Sequence, residues 1–245
     1  MTENGGEPAV AIGPAWYIGA FTAHPQLSQI GEGLLESCDC WMLVSGDNAE
    51  AAYAKASELA GSAIRRIKSN SELPWEVDGI MELLLTIEEP ASGSELTWEE
   101  LEIPPDDLHA LVKRKSDLLA FRSFTTEVSW SGWYVATLVY VEVHETGSHA
   151  DCLLVWIDQH LIAAKDAESA YASAVTVGNE YATSSAHSCD GQPAHFEFKG
   201  LQELVRTTEE PADGAVLWIE TLYLSPQERK SSVPEKSDLG VFRKE

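Results

Sequence analysis

Two spacings of apolar residues divide the chain into strands and helices. Residues 16–24 and 133–143 are dense in aromatic and β-branched side chains, as strands are. Residues 38–45 and 151–163 read as second strands. From 47 to 68 the period changes: Ala52, Ala56, Leu59, Ala63 and Ile67 recur at helical spacing, with Asp47 or Asn48 placed to cap the first amides. Residues 166–183 predict a matching helix capped by Asp166. Strands are then expected at 75–87 and 195–208, and again at 95–103 and 215–224.

The same order of elements is thus written twice, and so are the words. WYIGAF begins at Trp16 and WYVATL at Trp133; AEAAYAKA at Ala49 returns as AESAYASA at Ala167. The stretch from Trp75 to Ile103 returns from Phe196 to Leu224, and KSDLLAFR at Lys115 returns as KSDLGVFR at Lys236. The offsets are 117, 118, 121 and 121, as expected of tandem copies separated by small loop insertions. The reading is a flexible leader at 1–14, a first module at 15–124, a linker at 125–131 and a second module at 132–245. The expected fold is α+β: two tandem β-β-α-β-β modules, each an antiparallel sheet with a helix packed on one face. The copies are expected to pair as a pseudo-twofold unit, in the manner of a fused dimer.

The third and fourth strands of each copy are joined by TIEEPASG (residues 86–93) and TTEEPADG (207–214). Proline fixes φ without an amide donor and glycine tolerates positive φ, so both phrases predict hairpin loops. Glu88, Glu89, Glu209 and Glu210 would stand where the strand leaves the sheet, as a solvated turn or a recognition loop. Within KSDL, Ser or Asp is expected to cap a short helix that docks through Leu118 and Phe121, or Leu239 and Phe242. Lys115, Asp117, Lys236 and Asp238 are the candidate binding residues there. Trp16-Tyr17 and Trp133-Tyr134 point to opposite faces of their strands. One aromatic of each pair belongs to the core; Trp16 or Trp133 is free for the interface between copies or for a binding patch.

The leading WY, the alanine-rich helix, the W/F-E-x-x-G-[IL]-x-E-L strand, the glycine turn and the closing K-x-x-L-x-x-F resemble a family of small bacterial proteins, domain of unknown function 4288. The resemblance spans both halves. It implies a compact bacterial module, with no established activity and no functional residues to carry over. The duplication departs from a single-copy pattern and leaves room for one copy to have changed its role.

Charge narrows the partners. The chain of 245 residues carries a formal net charge of −24. Up to Thr125 there are 21 acidic and 8 basic residues, and beyond it 19 and 8, so the halves stand at −13 and −11. An acidity spread over the whole fold repels phosphate backbones and favours solubility or a basic protein partner. No basic leader and no long apolar run is visible, which points to a cytoplasmic protein with no membrane segment. Cys38, Cys40, Cys152 and Cys189 show no paired spacing and are expected as reduced, mostly buried thiols.

Catalytic signatures are missing. There is no nucleophile elbow, no P-loop and no dinucleotide fingerprint; Gly31-Glu32-Gly33 has no helix-opening context. His187, Cys189 and His195, and likewise His144, His149 and Cys152, lie close in sequence but lack zinc-ligand spacing and have no counterpart in the first copy. Neither metal nor cofactor is expected. Glu76, Glu82 and Glu99, with Glu197, Glu203 and Glu220, read as polar outer faces. The leading expectation is a non-catalytic acidic module that binds a basic protein, such as an immunity-type inhibitor of a basic toxin or enzyme. The alternatives are an enzyme whose carboxylates or KSDL groups line a cleft between copies, requiring Lys115, Asp117 and Glu99 or their counterparts in the other copy to converge, and a structural assembly module.

Overall fold

The computed structural model describes residues 14–26, 35–122, 132–144, 152–184, 187–189 and 192–242. Of the expected leader at 1–14, residues 1–13 lie outside them, as do the linker at 125–131, Gly31, Gly33 and His149. The first half runs β1 (Ala15–Pro25), β2 (Leu35–Gly46), α1 (Ala49–Ile67), β3 (Trp75–Leu85), β4 (Glu95–Ile103) and a one-turn α2 (Leu108–Leu111). The second runs β5 (Trp133–His144), β6 (Leu153–Ala163), α3 (Ala167–Ser184), β7 (His187–Cys189), β8 (Gln192–Arg206), β9 (Val216–Leu224) and α4 (Pro226–Ser231). Short 3-10 turns at Lys115–Asp117, Leu119–Phe121, Lys236–Asp238 and Gly240–Phe242 close each half.

The helix ends follow from their caps. The Asn48 side chain accepts from the Ala51 amide at 2.9 Å, and Asp166 accepts from Ser169 at 2.7 Å. The Asn48 cap contributes about 1 kcal/mol. Helix α1 buries Ala52, Ala56, Ala60, Ala63 and Ile64. Small residues at this spacing let the helix lie close on its sheet.

The protein is α+β and sheet-dominated, with antiparallel pairings in both sheets. One sheet has four strands in the order β3-β1-β2-β9, and the other has five in the order β4-β6-β5-β8-β7. This corrects the expectation that each half builds its own sheet. Strand β4 leaves the first half and pairs with β6, and β9 leaves the second and pairs with β2. The EEPASG and EEPADG phrases are therefore crossovers between sheets, not hairpin loops. The Gly93 amide donates to the Leu161 carbonyl at 2.7 Å and the Gly214 amide to Leu43 at 2.8 Å, so both loops are tied to the other half before the strand begins. Both glycines hold the positive φ expected of them, 94° and 81°.

The tails follow their strands. Leu118 and Ala120 enter the core under α3, while Leu239 enters the core under α1. Val112 sits over Gly200 and Val233 over Gly79; a Cβ on either glycine would stand 2.6 Å from the valine methyl. The KSDL turns have no side-chain cap, contrary to expectation. Ser116 instead donates to its neighbour Asp117 at 3.3 Å, and burial of the leucine holds the turn.

Three layers of packing result. Helix α1 covers one face of the first sheet and α3 one face of the second. Between the sheets lie Ile18, Leu43, Leu96, Val135, Leu161 and Leu217, ringed by Trp16, Trp41, Trp133 and Trp218. Tyr17 and Tyr134 point the other way, into the helix-side cores. Cys38 and Cys40 are buried free thiols, whereas Cys152 is free and exposed. Among the described residues no helix is long and apolar enough to cross a membrane.

The exchange predicts behaviour that independent halves would not show. With a protease site inserted between Arg122 and Gly132 and cut after folding, the two fragments should co-elute in native buffer and separate only in denaturant. Size-exclusion chromatography of the cleaved protein checks this; fragments that part without denaturant would contradict the strand exchange.

Candidate functional site

The first crossover is held at both ends. Thr86 donates its amide and its hydroxyl to the Trp16 carbonyl, at 2.9 and 3.1 Å. The Ser94 hydroxyl donates to the Glu89 carbonyl at 2.7 Å, and a Glu88 carboxylate oxygen accepts from the Glu95 amide at 3.1 Å. Outside this loop lies a groove of about 420 Å³ lined by Trp16, Leu85, Thr86, Ile87, Glu88 and Glu89, with Pro14 and Ala15 at one end. Leu85 and Ile87 are 55% and 49% exposed, unusual for aliphatic side chains side by side with acids. Three sequence-selected residues, Trp16, Glu88 and Glu89, therefore meet at one place.

The second crossover is closed differently. Glu209 accepts from the Val216 amide at 2.8 Å and forms a two-pronged ion pair with Arg66 of α1. Asp213 accepts from the Ser45 amide and pairs with Lys55. Burial alone would raise the Glu209 pKa, but its hydrogen bonds to Arg66 and Val216 hold it below the ordinary carboxylate range. Glu210 is exposed.

Beneath the first crossover is a buried polar cluster that the sequence did not single out. Glu95 opens β4 and stands opposite His160 on β6, two residues from Asp158 on the same face. One ligand atom from each of the three lies within 4.8 Å of the others. Asp158 is 1% exposed and His160 3%. The His160 Nδ1 lies 3.1 Å from the Gly93 carbonyl, an acceptor only, so this nitrogen carries the proton and donates. Among the described residues nothing hydrogen-bonds to the buried Nε2, to Asp158 Oδ1 or to the buried Tyr140 hydroxyl, which belongs to the same neighbourhood. Burial, then the nearby Glu95 charge, pushes the Asp158 pKa up to about 7. Burial lowers that of His160, and burial followed by Glu88 raises that of Glu95.

The first sheet supplies an internal control. Where His160 faces Glu95, Met42 faces Val216, and Cys40 takes the place of Asp158 two residues before Met42. Met42, Val216 and Cys40 are all fully buried in the α1-side core. The fold closes this junction with apolar side chains in one sheet and with titratable ones in the other.

The remaining predicted residues are engaged elsewhere. Lys115 pairs with Glu168 and lies over the rings of Phe121 and Tyr171, at 5.1 and 4.9 Å. Lys236 pairs with Glu50 over Tyr53 and Phe242, at 4.6 and 4.9 Å. Asp117 and Asp238 are exposed, and Trp133 lies between the sheets. Glu99 is exposed on β4 opposite Ile157. Among the described residues no contact joins Lys115, Asp117 and Glu99, so the convergence an inter-copy active site required is not seen. His144 lies 3.2 Å from Glu142, whose other oxygen accepts from Trp156 at 3.2 Å.

Residues 133–218, from the start of β5 into β9, match the family described as Domain of unknown function (DUF4288). The match covers Asp158 and His160 but not Glu95. The wider likeness over both halves is thus found over one part of the chain. No curated protein and no solved structure matches the sequence.

Two outcomes are expected. Glu209→Ala should cost about 2 kcal/mol at neutral pH, the scale of hydrogen bonds to a charged group. Because the folded-state pKa is depressed, that contribution is present above the ordinary glutamate range and vanishes as pH falls through the folded value. The gap to wild type should therefore close below about pH 4 in urea titrations. Installing the first-sheet residues, Glu95→Val with Asp158→Cys and His160→Met, should raise stability by about 2–4 kcal/mol by removing unpartnered buried polar atoms. Urea midpoints with EDTA and a reductant measure this; a loss of stability would mean the polar cluster serves the fold.

Proposed function

We propose that the chain is a non-catalytic binding module that takes a basic protein partner in the groove beside β1. The observation that carries this reading is the joining of exposed Leu85 and Ile87 to Glu88 and Glu89 in one groove. Among the described residues no cation pairs with either glutamate, whereas Glu209 of the other crossover is neutralised by Arg66. The groove suits a segment with an apolar side chain between lysines or arginines. Apolar contact would hold the complex, and the −24 charge would speed its formation.

In this reading the halves are copies of one ancestral bacterial module, paired about a pseudo-twofold axis and working in the cytoplasm. The four ordered sequence matches and the reciprocal β2–β9 and β4–β6 pairing support the copying. The free thiols Cys38 and Cys40 accord with a reducing compartment.

Affinity capture from host lysate, at low and high salt and read by mass spectrometry, tests the reading. Wild type should retain a basic protein at low salt, less at high salt, and the Leu85→Ser/Ile87→Ser double variant should lose it at both. Retention unaffected by the variant would remove the groove from the account. Nothing retained at either salt would return the charge to solubility.

A further inference from the structure

A buried histidine with one nitrogen committed to a backbone carbonyl and the other bare is arranged as metal-ligating histidines are. Here the donor hydrogen bond from Nδ1 to Gly93 is itself anchored, because the Gly93 amide donates to Leu161. The ring is fixed; one of its nitrogens lies within 4.8 Å of a carboxylate oxygen of each of Asp158 and Glu95, and Nε2 is the nitrogen with no hydrogen-bond partner among the described residues. Asp158 adds an oxygen, Oδ1, that no group among the described residues satisfies. Glu95 adds a carboxylate from a half-exposed position, an entry route for an ion from solvent. Glu88 contributes further negative potential to both Glu95 and His160. Among the described residues no lysine or arginine pairs with Glu88, Glu95 or Asp158.

Charges of one sign, desolvated and unpaired, are costly, and a protein that retains them holds either protons or a cation. The first sheet shows that the fold does not need them, since Val216, Cys40 and Met42 fill the same junction. Alkali and alkaline-earth ions favour all-oxygen sites, whereas one imidazole nitrogen with two carboxylates suits a borderline transition ion.

We infer that Glu95, Asp158 and His160 form a binding site for a divalent transition metal ion of the Zn²⁺ class at the junction of β4 and β6. The ion draws the three ligand atoms in from their present separations to metal–ligand distances of about 2.0–2.2 Å, with Glu95 making the largest move. It joins Glu95 of the first half to Asp158 and His160 of the second and so clasps the strand exchange on one side only. Water or a partner's side chain completes the coordination from the Glu95 side. This site is independent of the groove reading; either can stand without the other.

The full chain, stripped with EDTA and dialysed, is titrated with Co²⁺ and Zn²⁺. One Co²⁺ per chain should bind with a visible d–d absorption band that Zn²⁺ abolishes and Mg²⁺ does not. Zn²⁺ well above its Kd should raise Tm by about 5 °C or more. Glu95→Gln and His160→Gln should each weaken binding at least about 10-fold. Glu95 is half-exposed, so its variant separates loss of the site from loss of folding, which the metal-free Tm of each variant monitors. No Co²⁺ band from wild type, or a band unchanged in both variants, would overturn the assignment.

Discussion

Backbone hydrogen bonds between β2 and β9, and between β4 and β6, are what the rest of this molecule is arranged around. Each sheet is completed by a strand from the other half, so neither core can close alone. Once β4 has crossed, everything behind it must dock on the far side. That is why Val112 rests on Gly200, Leu118 fills the α3-side core and Lys115 reaches Glu168. The return crossing puts Val233 on Gly79, Leu239 under α1 and Lys236 on Glu50. The crossover loops must accordingly be stiff. Threonine, glycine and the first glutamate of each phrase bond it to both sheets.

The strands and helices were readable from apolar spacing because that spacing depends on local geometry alone. Asn48 and Asp166 could be picked as caps for the same reason. The pairing partner of a fourth strand is a different kind of information. Proline and glycine at Pro90 and Gly93 suit any abrupt change of direction, whether the chain turns back or crosses over. Nothing in residues 86–93 distinguishes Leu161 from a nearer acceptor. The exchange is fixed by packing: the leucines at 96 and 217 bury between the sheets only if their strands have crossed.

The polar cluster is hard to read from the sequence for a related reason. Glu95 is far in sequence from His160, and their meeting depends on the exchange. One signal was present. In the largely apolar run LLVWIDQHLIA, Asp158 and His160 sit two apart and therefore share a buried face. Setting that run beside LESCDCWMLVSG would have shown Cys40 and Met42 in those places. Polar residues kept where the sister sheet is greasy are better markers of function than polar residues on a surface, since burial makes them costly.

Positive charge is scarce and unevenly placed. Against 40 acidic residues the chain has 16 lysines and arginines. Those in ion pairs are concentrated where the halves meet: Lys55 with Asp213, Arg66 with Glu209, Lys113 with Glu203, Lys115 with Glu168, and Lys236 with Glu50. Solvent-exposed pairs contribute only about 0–1 kcal/mol each, so their value here is less in stability than in register, each rewarding the crossed arrangement. With the cations concentrated at the junction, the acids at the first crossover have no lysine or arginine partner among the described residues. The asymmetry between the crossovers then has one physical origin. Arg66 answers Glu209 from within the chain, while among the described residues no lysine or arginine pairs with Glu88, Glu89 or Glu95.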